Sequence, residues 1–294
     1  MQRDIDAVPA GSVPADPLPG WMAALEARHL ARLTVPEVRR ALQALSSLYV
    51  ERRGRLGSGA ALEGDGKRAA FALFYGPLHF LLVRGIVRAL GAARPAPRTV
   101  ADLGCGTGAA GAAWAIEAGP ACAVDAIDRS GWAVAETRWT MKTICVRGGA
   151  ARGDLLHATL PGRGGAVLAA FALNEIGDDE RDRLLDRMFE SAARGAAVLV
   201  VEPIARRGLP WWDEAGRRCA AAGGRADEWR LPADLPAIVR RLDEAAGLDH
   251  RILTGRSLFL PAGGERRPGS GSGGGAGRGA GRQFRLTPGP GPRI

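Results

Sequence analysis

Asp102 and the glycines that follow it are the residues best placed for chemistry. Asp102-Leu103-Gly104-Cys105-Gly106-Thr107-Gly108 follows a short apolar run and precedes an alanine-rich one. A glycine-rich turn between a strand and a helix lets backbone amides approach a ligand closely. Gly106, Gly108 and Gly111 spell G-x-G-x-x-G, and Gly104, Gly106 and Ala109 spell G-x-G-x-x-A. Either spelling admits a dinucleotide. Asp102 argues against one, because its carboxylate would add negative charge beside a pyrophosphate in a partly dry site. A ligand carrying a cationic ammonium and a cationic sulfonium, such as S-adenosylmethionine, is favoured by the same charge. A tight turn without any cofactor is the plain alternative.

Two later acids fit the cationic adenosyl ligand. Asp128 lies 24 positions beyond Gly104, at the end of the next apolar run, where a carboxylate can accept both ribose hydroxyls. Asp154 follows Gly153 after a third candidate strand and is placed to accept from an adenine amino group, with Leu155 beside it on the same cofactor wall. Asn174 and Glu175 are the candidate catalytic pair, able to orient a nucleophile or accept its proton. They are equally suited to capping a helix that begins near Asp178. Methyl transfer from a sulfonium is an in-line displacement in which positioning supplies much of the barrier reduction. The acceptor is therefore less legible than the cofactor. Trp211 and Trp212 could floor an aromatic substrate pocket or anchor a helix, and Tyr75 and His79 could be buried packing residues.

Cys105, Cys122, Cys145 and Cys219 are scattered without C-x-x-C spacing. They read as thiols of a reducing compartment rather than as disulfides or zinc ligands. The histidines show no ligand-like spacing, so no metal is expected.

The stretch from about Thr99 to Glu202 resembles the class I S-adenosylmethionine-dependent methyltransferase superfamily, most specifically at Val100-Ala101-Asp102-Leu103-Gly104-Cys105-Gly106-Thr107-Gly108. The resemblance implies a seven-stranded sheet with its last strand antiparallel. It also implies a cofactor bound across the carboxyl ends of the first strands, with Ala170 or Phe171 lining it. N-terminal helices commonly lid the cofactor in this superfamily, which places Tyr75 toward its methionine end. Gly165 stands where an acid often begins the fourth strand. No Asn-Pro-Pro-Tyr or Asp-Pro-Pro-Tyr sequence is present, which argues against methylation of an adenine or glutamine amine. More narrowly, Leu173-Asn174-Glu175-Ile176, the helix after it, and Val200-Val201-Glu202-Pro203 with Gly208 look similar to the ribosomal small-subunit-associated methyltransferase-like family. That family's cysteine cluster is represented only by Cys219, so no metal centre carries over.

The elements that must position these residues follow from periodicity. Thr34 with Glu37 is a capping-box signature, and Val38, Leu42, Leu45 and Leu48 or Tyr49 then share a helical stripe. Apolar helix continues from Phe71 to Leu90, with a break expected at Gly76-Pro77. Strands are expected at Thr99–Leu103, Cys122–Ile127, near Ala150, at Ala166–Phe171 and at Ala196–Val201. Helices are expected at Thr107–Ala118, from Gly131 to about Lys142, at Asp178–Ala193, Trp211–Ala222 and Leu235–Ala246. Ile252 and Ser257–Leu260 read as short final strands. Continuous apolar strands alternating with helices indicate a parallel sheet covered on both faces. The fold class is thus α/β: a Rossmann-like, seven-stranded, mostly parallel sheet with helices on both faces, preceded by an N-terminal helical segment.

The 294 residues and 46% hydrophobic share suit one sizeable core. No apolar run reaches the ~18 residues of a membrane span, and Asp4, Asp6 and several early prolines do not read as a signal peptide. A cytoplasmic protein is expected. Residues 1–20 read as a disordered leader, 21–95 as a helical lid, 96–261 as the cofactor-binding domain and 262–294 as a disordered Gly/Arg-rich tail. That tail accounts for much of the net charge of +9. Three functions stand open: methyl transfer to a small molecule or to RNA or a ribosomal component, an inactive cofactor-binding assembly factor, and an NAD-dependent oxidoreductase.

Overall fold

The computed structural model describes residues 16–51, 62–204 and 210–263. Seven strands form one sheet: β1 (Thr99–Leu103), β2 (Ala123–Asp128), β3 (Arg147–Arg152), β4 (Gly165–Ala170), β5 (Ala197–Glu202), β6 (Arg225–Pro232) and β7 (Ile252–Leu260). Their order is β3-β2-β1-β4-β5-β7-β6. The first five run parallel, and β7 is antiparallel to both its neighbours. Every residue of β4 and β5 is buried, as continuous apolar strands require when helices cover both faces. Those helices are α5 (Ala109–Ala118), α6 (Gly131–Thr143), α7 (Asp178–Ala193), α8 (Pro210–Ala221) and α9 (Ala237–Ala246), numbered after four N-terminal ones. Strand order reverses at β1, which lies between β2 and β4. Such a reversal opens a crevice at the carboxyl edge of the sheet.

The sheet departs from the sequence expectation at its far edge. β6 was not expected, and Ile252 with Ser257–Leu260 form one strand rather than two. Arg225–Pro232 carries four charged residues and a proline, a composition that argues for loop. The usable signal was alternation: Asp227, Trp229 and Leu231 turn partly inward while their neighbours are mostly exposed. An edge strand needs only one covered face, so its pattern is thin.

The N-terminal segment comprises α1 (Leu18–His29), α2 (Val35–Glu51), α3 (Asp65–Ala70), a π turn at Phe71–Tyr75, and α4 (Gly76–Leu90). The expected break at Gly76-Pro77 is absent. Gly76 donates its N–H to the Phe71 carbonyl, five residues back, and this wider turn accommodates Pro77 in the first turn of α4, where no N–H is needed. The resulting helix, Asp65–Leu90, is by length and composition apolar enough to cross a membrane, which corrects the expectation that no such run exists; 72% of its apolar window is buried inside the protein. At the start of α2, Glu37 Oε2 accepts from the Thr34 N–H at 2.7 Å and from its hydroxyl at 2.8 Å. Val38, Leu42 and Leu45 are buried below it, while the side chains of Leu48 and Tyr49 lie outside the described part. α1 is held to α6 by the buried Glu136, which accepts from Arg28 Nε at 3.2 Å and lies 2.7 Å from His29 Nε2. Residues 1–15, Gly208 and the tail from Gly264 lie outside the described residues.

Candidate active site

The glycine turn joins β1 to α5 at the strand-order reversal. Gly104, Gly106 and Gly108 all have positive φ, a region costly for any residue with a Cβ. The turn's amides are already engaged. Gly104 and Cys105 N–H both reach the Ile127 carbonyl, at 2.9 and 3.2 Å, and the Gly106 N–H reaches Asp128 Oδ2 at 3.0 Å. At the start of α5, the Gly111 N–H donates to Asp102 Oδ2 at 3.2 Å. Gly111 permits this approach, because a Cβ there would lie 2.6 Å from that oxygen. Amides that a dinucleotide turn would offer to a pyrophosphate are here taken by two aspartates of the chain itself.

Asp102 is 1% exposed. Burial pushes its carboxyl up to about 7, against the Gly111 N–H that lowers it, and the Asp128 carboxylate adds to the rise. Burial likewise raises Asp128, opposed by the Ser130 and Gly106 amides. A cation brought beside Asp102 would therefore recover an ionisation that burial suppresses. This fits a sulfonium and ammonium ligand and not a pyrophosphate. Asp128 keeps acceptor capacity after its two backbone bonds, since a carboxylate has about four lone-pair sites.

A cavity of about 50 Å³ lies over the turn, bordered by Asp102, Gly104, Gly106, Phe171, Phe71 and His79 among others. Phe71, His79 and Phe171 give it an aromatic border. Phe71 and His79 come from the N-terminal segment, and His79 stacks on Phe171 at 3.9 Å between ring centroids. Burial holds the His79 imidazole neutral, with its pKa lowered to about 3. Phe71 also meets Trp132 edge-on at 6.2 Å. Phe171 itself has φ +59°, a strained conformation for an aromatic residue, and its N–H is held by the Val201 carbonyl at 2.8 Å.

The remaining expected residues fall in distinct places. Cys105 is buried in the turn, with the Thr137 hydroxyl 3.2 Å from its sulfur. Asp154 caps a short 3₁₀ turn through the Leu156 N–H at 2.9 Å and pairs with Arg129 at 3.1 Å. Leu155 is buried, its Cδ1 3.8 Å from where a Gly104 Cβ would be. Tyr75 does not border the cavity: its hydroxyl lies 3.1 Å from Ser46 Oγ on α2. A π turn rotates the residues around it, so Phe71 and His79 reach the cradle instead.

Asn174 and Glu175 do not cap α7, whose N-cap is Gly177 with no side-chain bond. Asn174 Nδ2 instead donates to Glu202 Oε2 at 2.6 Å, and the Leu173 N–H donates to Glu202 Oε1 at 2.8 Å. Burial raises Glu202 to about 8, partly offset by these donors and by Arg256. Burial alone raises Glu175 to about 7. Sequence reading missed Glu202 and Arg256, although an acid ending β5 repeats the strand-end placement of Asp128. Among the described residues, no group of three His, Cys, Asp or Glu side chains is placed to hold a metal.

Residues 84–196 match the family model of the methyltransferase small domain. Comparison with curated protein sequences gives no match. Among similar solved structures is the plantazolicin methyltransferase BpumL in complex with a monoazolic desmethylPZN analog and SAH. It has a TM-score of 0.50 at 10% identity, over 76% of this chain and 99% of that one. The magnesium protoporphyrin IX methyltransferase ChlM from Synechocystis PCC 6803 gives 0.43 at 14% identity, over 79% and 99%.

Proposed function

We propose that this chain, whose residues 84–196 match the methyltransferase small domain, is a class I S-adenosylmethionine-dependent methyltransferase that methylates a small molecule held on the β4–β5 side of its glycine turn. The observation that carries the cofactor assignment is Asp102, buried, bonded to the Gly111 N–H and bordering the cavity. In this reading Asp102 faces the cofactor's cationic end, with Gly104, Cys105, Gly106 and Gly108 giving the turn its close approach. Asp128 accepts the ribose hydroxyls, Asp154 and Leu155 border the adenine, and Phe171 supports the amino-acid end. Bound S-adenosylmethionine supplies an electrophilic methyl group.

The protein's part is to orient the acceptor and take its proton. Glu175, with a carboxyl near 7, is suited to that proton at neutral pH. Asn174 acts one step back by fixing Glu202. The aromatic border of Phe71, His79 and Phe171 favours a small acceptor over RNA, which calls for an open basic groove. Four unpaired cysteines support a cytoplasmic location.

Calorimetry with S-adenosylmethionine and with NAD tests the cofactor assignment, and tight NAD binding without S-adenosylmethionine binding would overturn it. Formation of S-adenosylhomocysteine with a small-molecule extract, and not with ribosomes or RNA, is the expected result for the acceptor. Turnover on ribosomes alone would reverse that part, and no turnover on any fraction would favour a cofactor-binding assembly factor.

A further inference from the structure

The sheet edge at the carboxyl end of β5 holds two buried cations that the methyl-donor side does not use. Arg256 is 7% exposed, and its Nε and Nη2 have no hydrogen-bond partner among the described residues. Arg181, in the first turns of α7, is also 7% exposed; it spends Nη2 on Asp178 Oδ1 at 2.7 Å, and its Nε has no partner among the described residues. Both guanidiniums lie over Trp211, 4.7 Å from its ring centroid for Arg181 and 5.9 Å for Arg256. Arg256 also lies over Trp212, at 4.1 Å. Stacking satisfies the faces of a guanidinium but not its in-plane N–H donors.

Nearby carboxylates do not serve those donors. Glu202 faces Arg256 across the β5–β7 register, yet its two oxygens are held by Leu173 and Asn174. Asp213 and Glu228 act on Arg256 only through charge, from exposed positions where solvent screens them. A buried donor without an acceptor is costly. Two of them converging on one indole suit an acceptor that arrives from outside.

We propose that Arg256 and Arg181, over the Trp211–Trp212 shelf, form an oxyanion subsite for a carboxylate or phosphate carried by the methyl acceptor. That it is the acceptor's anion rests on the methyl-transfer reading above. The placement agrees with it. Glu202 ends β5, so its register partner Arg256 stands on the ligand edge of the sheet. It lies three strand spacings from β1, about 14 Å away. That separation suits an acceptor whose reactive atom sits near Phe171 and whose anion is fixed further along the edge. A planar guanidinium binds an oxyanion bidentately, so one anchor of this kind sets both the position and the direction of the acceptor.

The test is calorimetry on the full chain with inorganic phosphate and with benzoate, each with and without S-adenosylmethionine. Wild-type protein should bind at least one probe, and which one separates a phosphorylated acceptor from a carboxylic one. R256M should weaken that binding at least tenfold and R181M less, while S-adenosylmethionine affinity stays within threefold. D128A should do the reverse. No probe binding by wild type, or undiminished binding by R256M, overturns the subsite. Competition between the probe and S-adenosylmethionine, with loss of both in R256M, would make the cofactor's own carboxylate the occupant and overturn the assignment. If R256M does not fold, wild-type crystals soaked in the bound probe decide: an anion within hydrogen-bond distance of Arg256 Nε supports the subsite, and its absence there refutes it. Failure of wild type to bind S-adenosylmethionine would sink the methyl-transfer reading alone, because probe binding is read without cofactor.

Discussion

The two halves of the sheet's carboxyl edge are built on opposite terms. At the β1–β2 end the acids Asp102 and Asp128 have their oxygens met by nearby backbone amides: Asp102 by Gly111, Asp128 by Gly106 and Ser130. At the β5–β7 end the buried Glu202 is held by Leu173 and Asn174, and the donors left over among the described residues belong to arginines. The first half is self-contained and waits for positive charge. The second has spare donors and waits for an acceptor. A two-substrate enzyme that brings a cation and a nucleophile together gains from this division, because each substrate is repelled from the other's place.

The largest expected effect that would break this contrast is on the acid side. Asp128→Ala should weaken S-adenosylmethionine by about a hundredfold, roughly 3 kcal/mol, since it strips two ribose hydroxyls and two backbone amides of a charged acceptor. Calorimetry showing unchanged affinity would remove Asp128 from the cofactor's binding set.

A smaller, sharper effect concerns Asp102. Its folded pKa near 7 lies above the ordinary carboxylate value of 3.8. Its contribution to stability is therefore fully present below about pH 4 and lost as pH rises through about 7. A cationic ligand has the opposite preference, because it needs the carboxylate ionised. Affinity for S-adenosylmethionine should fall about tenfold from pH 8 to pH 6, the loss of ionised carboxylate below a pKa near 7. Asp102→Asn should flatten that profile, and a profile the variant leaves unaltered would assign the titration elsewhere.

The smallest effect lies on the other half. Asn174→Ala leaves Glu202 Oε2 without its donor and should cost about 1 kcal/mol of folding stability, with cofactor affinity within twofold. Thermal denaturation beside calorimetry reads both. A large loss of cofactor affinity in this variant would mean that the two halves are one site.

Much of the acid half was legible before any coordinates. The turn and the two acids at the ends of β1 and β2 sit within 27 consecutive residues, Asp102 to Asp128. Glycines with positive φ and a carboxylate beside a helix start declare themselves locally. The parallel core strands were legible for a similar reason, since burial on both faces leaves an unbroken apolar run. Other features were hidden because the signal was not local. β6 covers only one face and reads as charged loop. Pro77 reads as a break, and only packing of α4 on the core selects the π turn that keeps the helix running and swings Phe71 and His79, rather than Tyr75, onto the cradle.

The sequence by itself determined the glycine turn with Asp102 and Asp128, because these groups and the backbone that carries them are near neighbours along the chain. Tertiary structure alone decided the half proposed to hold the acceptor. Asn174, Glu202, Trp211 and Arg256 come from four separate segments, joined only when β7 turns back antiparallel beside β5 and sets Arg256 opposite Glu202. No spacing in the chain encodes that register, which follows from the hydrogen-bond ladder and from the burial of both strands.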